Sequence, residues 1–308
     1  MKQIDCTHLL HEVMIMTFTQ LQVFAKVVDT RSFTKTGELL NMTQSAVSHA
    51  VASLEAELGV QMLIRDRKNG IMVSEFGNRV LEPVRDILGR MAQIEQEASA
   101  AKGLETGIIR IGSFPSAAAR LLPKMIATFK SLHPKIEVVF FEGTDREVLD
   151  WLDARIIDVG FVALKGWDSQ TIPLTRDQMV VVMPQGHPLR DAPTIAVPAL
   201  MDSPFIMSHG GCEPLIREIF SRSSLVPNIR FEVADTTTIL NMVKEGLGIT
   251  VVPQLSLPDF PLGIEIRELN PPFWRHVGLR YLFEKETPRI VKAFVDTAQL
   301  LFRSEPIF

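Results

Sequence analysis

Asn41-Met42-Thr43-Gln44-Ser45-Ala46-Val47-Ser48-His49 is the stretch whose reading decides the first fold of this chain. Thr43 is a natural N-cap, because its hydroxyl can accept from the free N–H groups of a first helical turn. Beyond it Ala46, Val47, Ala50, Val51, Leu54 and Leu58 recur at helical spacing and make one apolar face. Gln44, Ser45, Ser48 and His49 fall on the other side, near the helix start. Short polar side chains in that place suit a helix whose N-terminal end meets base edges in a major groove. Gly59 after Leu58 supplies the left-handed residue that ends a helix.

Working outward, Leu21, Phe24, Ala25 and Val28 form the stripe of an earlier helix, and Ser32 caps a short second one through Leu40. Two short helices, a tight turn and a third helix make a helix-turn-helix. A plain helical bundle would show the same stripes. Met62-Leu63-Ile64 and Ile71-Met72-Val73 are β-prone runs, and Asn69-Gly70 between them signals a hairpin, which predicts a wing. Ser74 caps a long helix with Glu75 in its first turn. There Val84, Ile87, Met91, Ile94 and Ala98 step by three and four residues, a coiled-coil seam that needs a partner helix. Pro83 is expected to kink its start. The glycines of Lys102-Gly103-Leu104-Glu105-Thr106-Gly107 mark a hinge.

From Ile108 the pattern alternates. Strands are predicted at 108–111, 136–141, 158–164, 179–183, 205–208, 229–233, 249–252, 264–269 and 276–283. Helices are predicted at 117–132, 146–154, 198–201, 214–223, 236–245 and from Pro288. Such alternation implies βαβ units and a mostly parallel sheet. The late strands return to the first sheet, which suggests two lobes joined by two crossovers.

Phe33-Thr34-Lys35 through Leu40, Gln44-Ser45-Ala46-Val47-Ser48, and Leu54-Glu55 through Leu58-Gly59-Val60-Gln61-Met62-Leu63-Ile64-Arg65-Asp66-Arg67 together resemble the amino-terminal domain of LysR-type transcriptional regulators. Leu121-Leu122-Pro123, His133-Pro134, Asp158-Val159-Gly160-Phe161, Gly186-His187-Pro188-Leu189 and Val243 through Pro253 resemble that family's effector domain. Thr36-Gly37 departs from the family's usual pair of alanines, and Met62-Leu63 from its Leu-Phe. Gly in a helix interior weakens it by about 1 kcal/mol relative to Ala. The resemblance implies an α/β protein in four parts: an extension at 1–16, a winged helix-turn-helix at 17–75, a linker and dimerisation helix at 76–103, and at 104–308 a two-lobed α/β effector domain like type 2 periplasmic-binding proteins. It implies DNA contact by Ser32, Thr34, Thr43, Gln44, Ser45, Ser48 and His49, with Arg65, Arg67 and Lys68 on phosphates. It also implies a homo-oligomer, a dimer or a tetramer built as a dimer of dimers, on a palindromic operator in double-stranded DNA, with RNA polymerase as a candidate partner.

In open α/β sheets ligands bind at strand C-termini beside helix N-termini. Those places carry Ser113, Pro115, Ser116, Thr144, Ser208, His209, Cys212 and Thr236. Any one hydroxyl there serves equally as an N-cap; as a set they predict a cleft for a small anionic or polar metabolite. Cys212 reads either as pocket lining open to oxidants or as a small packed side chain.

Composition bounds the rest. Apolar content is 46%, charged content 22% and net charge −4 over 308 residues, which excludes a generally basic nucleic-acid coat protein. Between residues 17 and 75 six cations face six anions, so phosphate contact has to be local. The longest apolar run, Met179–Met183, is too short to span a membrane, and Met1–Met16 lacks a cleavage signal, so a cytoplasmic protein is expected. Cys6 and Cys212 read as reduced thiols. No metal-ligand spacing, Ser/His/Asp order or phosphate loop appears, so neither cofactor nor metal nor catalysis is predicted. The competing reading is an enzyme on a solute-binding-protein fold with an accessory helix-turn-helix.

Overall fold

A computed structural model of the chain describes residues 16–66, 70–101, 106–164, 166, 170–209, 211–259, 263–282 and 287–302. Residues 1–15 of the expected extension (Cys6 among them), Arg67, Lys68, Asn69 and most of the expected hinge lie outside them. The chain divides into two compact units at Ala98 and Ser99.

In the first unit, α1 (Phe18–Thr30), α2 (Phe33–Leu40) and α3 (Gln44–Leu58) are each started by a hydroxyl cap, from Thr17, Ser32 and Thr43 respectively. Gly59 ends α3 at φ 65°. Phe24, Val47, Val51, Leu54 and Met62 form the core. The wing pairs β1 (Leu63–Asp66) antiparallel with β2 (Gly70–Val73). Glu55 ties it to α3: Oε1 accepts from the backbone N–H of Met62 at 2.7 Å and of Leu63 at 2.9 Å. Ser74 Oγ then accepts from Gly77 N at 2.9 Å and starts α4 (Glu75–Ala101). Pro83 does not interrupt α4. Pro83 sits on the exposed face of an unbroken helix, where the carbonyl it leaves unbonded can reach water.

The second unit runs β3 (Gly107–Ser113), α5 (Pro115–Arg120), α6 (Leu122–Leu132), β4 (Ile136–Glu142), α7 (Asp145–Asp153), β5 (Val159–Leu164), β6 (Thr171–Pro184), β7 (Thr194–Ala196), β8 (Phe205–Ser208), α8 (Glu213–Ser221), β9 (Ile229–Val233), α9 (Thr236–Lys244), β10 (Thr250–Pro253), β11 (Ile264–Arg280) and α10 (Arg289–Phe302). The helix predicted at 117–132 is two helices, because Pro123 has no N–H to carry the ladder past Leu121. The segment predicted as a helix at 198–201 is a 3₁₀ turn, Val197–Leu200.

The sheet is mixed, not mostly parallel. Strand β3 is parallel to β4 and β5, but β11 is antiparallel to β5 and β6, and β10 is antiparallel to β6. The two late strands predicted separately are one strand, β11, whose register with β6 slips between Glu268 and Phe273. The two prolines there, Pro271 and Pro272, cannot donate to the ladder.

These long strands make the two lobes. One core holds Ile111, Phe129, Phe161, Leu174, Val277 and Phe294. The other holds Met179, Val181, Phe205, Phe220, Val251 and Leu269. Leu174 and Met179 share β6, and Leu269 and Val277 share β11, so both strands run from one core to the other. They cross between the cores at residues 175–178 and 274–276.

Candidate DNA-reading face and interlobe cleft

The polar start of α3 is laid out as its sequence implies. Thr43 Oγ1 accepts from Ala46 N at 3.2 Å and lies 2.9 Å from Ser45 Oγ. Gln44, Ser45 and His49 are exposed, as is Thr34 on α2. Ser32 Oγ is engaged as a cap with Lys35 N at 3.2 Å. Ser48 is half-buried and lines, with Phe33, Glu55 and Leu63, a hollow of about 270 Å³ between α3 and the wing. Arg65 pairs with Ile71 on the wing backbone.

The crossover between the lobes carries a buried ion pair. Asp177 on β6 and Arg275 on β11 are direct cross-strand partners, and each side chain is 1% exposed. Arg275 donates from Nε to Asp177 Oδ2 at 2.8 Å, with Nη2 2.6 Å from the same oxygen. Asp177 Oδ1 accepts from Leu255 N at 3.0 Å. The guanidinium lies 4.9 Å from the centre of the Phe114 ring. It then reaches into both lobes. Nη2 donates to Ser116 Oγ on α5 at 2.6 Å, and Nη1 lies 3.8 Å from Cys212 Sγ just ahead of α8. Two of the predicted cleft residues, one from each lobe, therefore meet at one cation.

Each of the other predicted residues has a local structural place. Ser113 is buried and donates to Phe114 O at 3.1 Å, and Pro115 opens α5. Thr144 caps α7: its Oγ1 donates to Glu147 Oε2 at 2.9 Å and accepts from Glu147 N at 3.2 Å. These bonds hold the Glu147 carboxyl below its usual range. Ser208 is the buried end of β8. His209 is exposed, with Nδ1 3.3 Å from Glu213 Oε2. Thr236 opens α9, but the cap is Asp235, which accepts from Thr238 N at 2.7 Å. The Cys212 thiol is pushed up to about 11, because burial outweighs the pull of Arg275. It stays protonated at neutral pH and packs against the second lobe's core.

Sequence reasoning missed Arg275, Asp177 and Asp145. Arg275 stands inside the apolar run Phe273 to Leu279, and Asp177 sits at the entrance of Met179–Met183. A charge embedded in a buried strand demands a partner, and that demand was the available signal. Asp145, by contrast, looks like an ordinary acid in a first helical turn. Among the described residues no helix is long and apolar enough to cross a membrane, and no group of three or more His, Cys, Asp or Glu is placed to hold a metal ion.

With this geometry in hand, two family descriptions match: "Bacterial regulatory helix-turn-helix protein, lysR family" over residues 18–78 and "LysR substrate binding domain" over residues 102–302. Among curated relatives, the HTH-type transcriptional regulator YvbU of Bacillus subtilis is 41% identical over 94% of this chain and 100% of its own length. The probable HTH-type transcriptional regulator LrrA of Synechococcus elongatus is 34% identical over 91% of this chain and 96% of its own. Among solved structures, a full-length OxyR from Pseudomonas aeruginosa matches with a TM-score of 0.74 at 23% identity, over 92% of this chain and 95% of its own. At that identity the likeness concerns the fold.

Proposed function

Because the chain belongs to the LysR family of transcriptional regulators, and so is a DNA-binding regulator with an effector-binding domain, we propose which of its surfaces do the two jobs. The exposed start of α3, with Gln44, Ser45 and His49 outermost, reads bases in the major groove, helped by Ser32, Thr34, Thr43 and Ser48. Arg65 on the wing contacts phosphates, with Arg67 and Lys68, which follow it in the sequence. The effector lies between the lobes, around Arg275, among Ser113, Pro115, Ser116, Thr144, Ser208, His209, Cys212 and Thr236.

One observation carries the effector reading. A single buried guanidinium at the crossover touches side chains of both lobes. A ligand seated there must change its bonds to one lobe or the other, and so favours one lobe arrangement. Closure about crossing strands is a known hinge motion, and the shift it produces cannot exceed the ligand's difference in affinity between the two states. The α4 faces pair two chains, two such dimers make a tetramer, and two-fold symmetry then selects a palindromic operator. The same reading puts the protein in the cytoplasm, with RNA polymerase as a candidate partner.

A thermal-shift screen of small polar metabolites on the full chain would identify a binder, because a ligand of the folded state raises its stability by mass action. Affinity for DNA selected from a random pool is then measured with and without that compound. We expect a change of about 5- to 150-fold, matching 1–3 kcal/mol of coupling, and expect Ser116→Trp to lose the response. A Ser116→Trp chain that responds like wild type would place the effector elsewhere.

A further inference from the structure

Asp145 is a second largely buried acid beside the Arg275–Asp177 pair. It opens α7 directly after the Thr144 cap. Its Oδ1 is fully enclosed and has no hydrogen-bond partner. The charged and titratable groups facing it are Arg275 from β11 and the Cys212 thiol ahead of α8, with Asp177 of β6 facing that same thiol. Burial pushes its carboxyl up to about 6, with Arg275 pulling only partly the other way.

Arg275 cannot serve Asp145 as a full counterion. Its charge is already matched by Asp177 at 2.6 Å, and Nη2 also donates to Ser116. The cleft therefore holds one guanidinium and two carboxylates, and is net negative when Asp145 is ionised. A bound carboxylate would add a third negative charge to a partly dry site, where like charges repel strongly. A ligand that donates a hydrogen bond removes the defect instead, since an enclosed acceptor without a donor is costly. An amide head would also offer its carbonyl oxygen to Nη1 of Arg275, which holds only the weak thiol contact at 3.8 Å.

We infer that the cleft selects an effector with an amine, amidine or amide head that donates to Asp145, and discriminates against simple carboxylates. This rests on the interlobe reading above and narrows it from anionic or polar ligands to donors. Asp145 is then a specificity-determining residue. A cationic head binds the ionised carboxylate, so its affinity falls as Asp145 takes up a proton.

The test uses three isosteric probes on the full chain: acetamidinium, acetamide and acetate, at matched ionic strength near pH 8. Thermal unfolding is followed for wild type, Asp145→Asn and Ser116→Trp. Acetamidinium should stabilise the wild type most, acetamide less, and acetate not at all. Its affinity should fall about tenfold per pH unit below about 6, which needs no variant to observe. Asp145→Asn should lose the acetamidinium response. Acetate matching acetamidinium, an acetamidinium response that ignores pH or survives Asp145→Asn, or silence from all three probes overturns the inference. A response that survives Ser116→Trp in a chain that still melts cooperatively overturns the interlobe site itself.

Discussion

A guanidinium that is 1% exposed costs several kcal/mol in desolvation and persists only with its charge and donors met. Asp177 and Ser116 do this for Arg275, and all three lie far apart in sequence, so the sequence gives no local sign of the meeting. The hydroxyls of Ser116 and Thr144 were legible because a small polar residue after a strand has few uses. Which of them faces the ligand was not, because capping and binding demand the same residue types; Thr144 turns out to be engaged by Glu147. Asp145 carries a stability consequence. Folded, it keeps its proton up to about 6, against 3.8 for an unperturbed aspartate. Between those values the folded chain binds more protons than the unfolded one, so stability falls as pH rises through that window and stays low above it. The difference corresponds to about 3 kcal/mol. Asp145→Asn should therefore stabilise the chain by up to about that amount near pH 8, and the gain should vanish near pH 4. Thermal melts of both proteins at the two pH values check this; an equal offset at both would contradict it.

Cap chemistry acts over three or four residues, and at the scale of elements it was the most readable part. Thr43, Ser32 and Ser74 start helices, and Gly59 ends one, where their residue types imply. Contacts across a turn were less readable. Helix propensity makes Gly37 look like a weakness that Ala would repair by about 1 kcal/mol. In the structure a Cβ at Gly37 would lie 2.6 Å from Met42 O. That carbonyl cannot retreat easily, because Met42 N donates back to Gly37 O at 2.8 Å and closes the tight turn before α3. Gly37→Ala should thus destabilise the first unit, by about 2 kcal/mol as for other overpacked sites. Chemical unfolding gives the sign directly, and a stabilised variant would show that the turn relaxes. The sheet was misread for a related reason. Strands β6 and β11 each cross two cores, and the charges and prolines in their middles interrupt the apolar pattern that marks a strand.

For the whole molecule, the seam along α4 needs one revision. Val84 is 6% exposed and belongs to the first unit's core, whereas Ile87, Met91 and Ile94 are 45%, 37% and 61% exposed. The first position of the expected repeat thus packs within its own chain, and the face left for a partner begins at Ile87. Light scattering of the full chain should show a dimer or tetramer, and Ile94→Glu should lower that mass; an unchanged mass would remove α4 from the interface. The broader division of labour, with sequence information entering through the polar start of α3, has one direct measurement. It is the ratio of affinities for pool-selected DNA and a scrambled duplex, in wild type and in Gln44→Ala. Losing one good base contact should shrink that ratio by about 5- to 150-fold, the equivalent of 1–3 kcal/mol, with affinity for the scrambled duplex unchanged. An unchanged ratio, or an equal loss on both duplexes, would contradict the account.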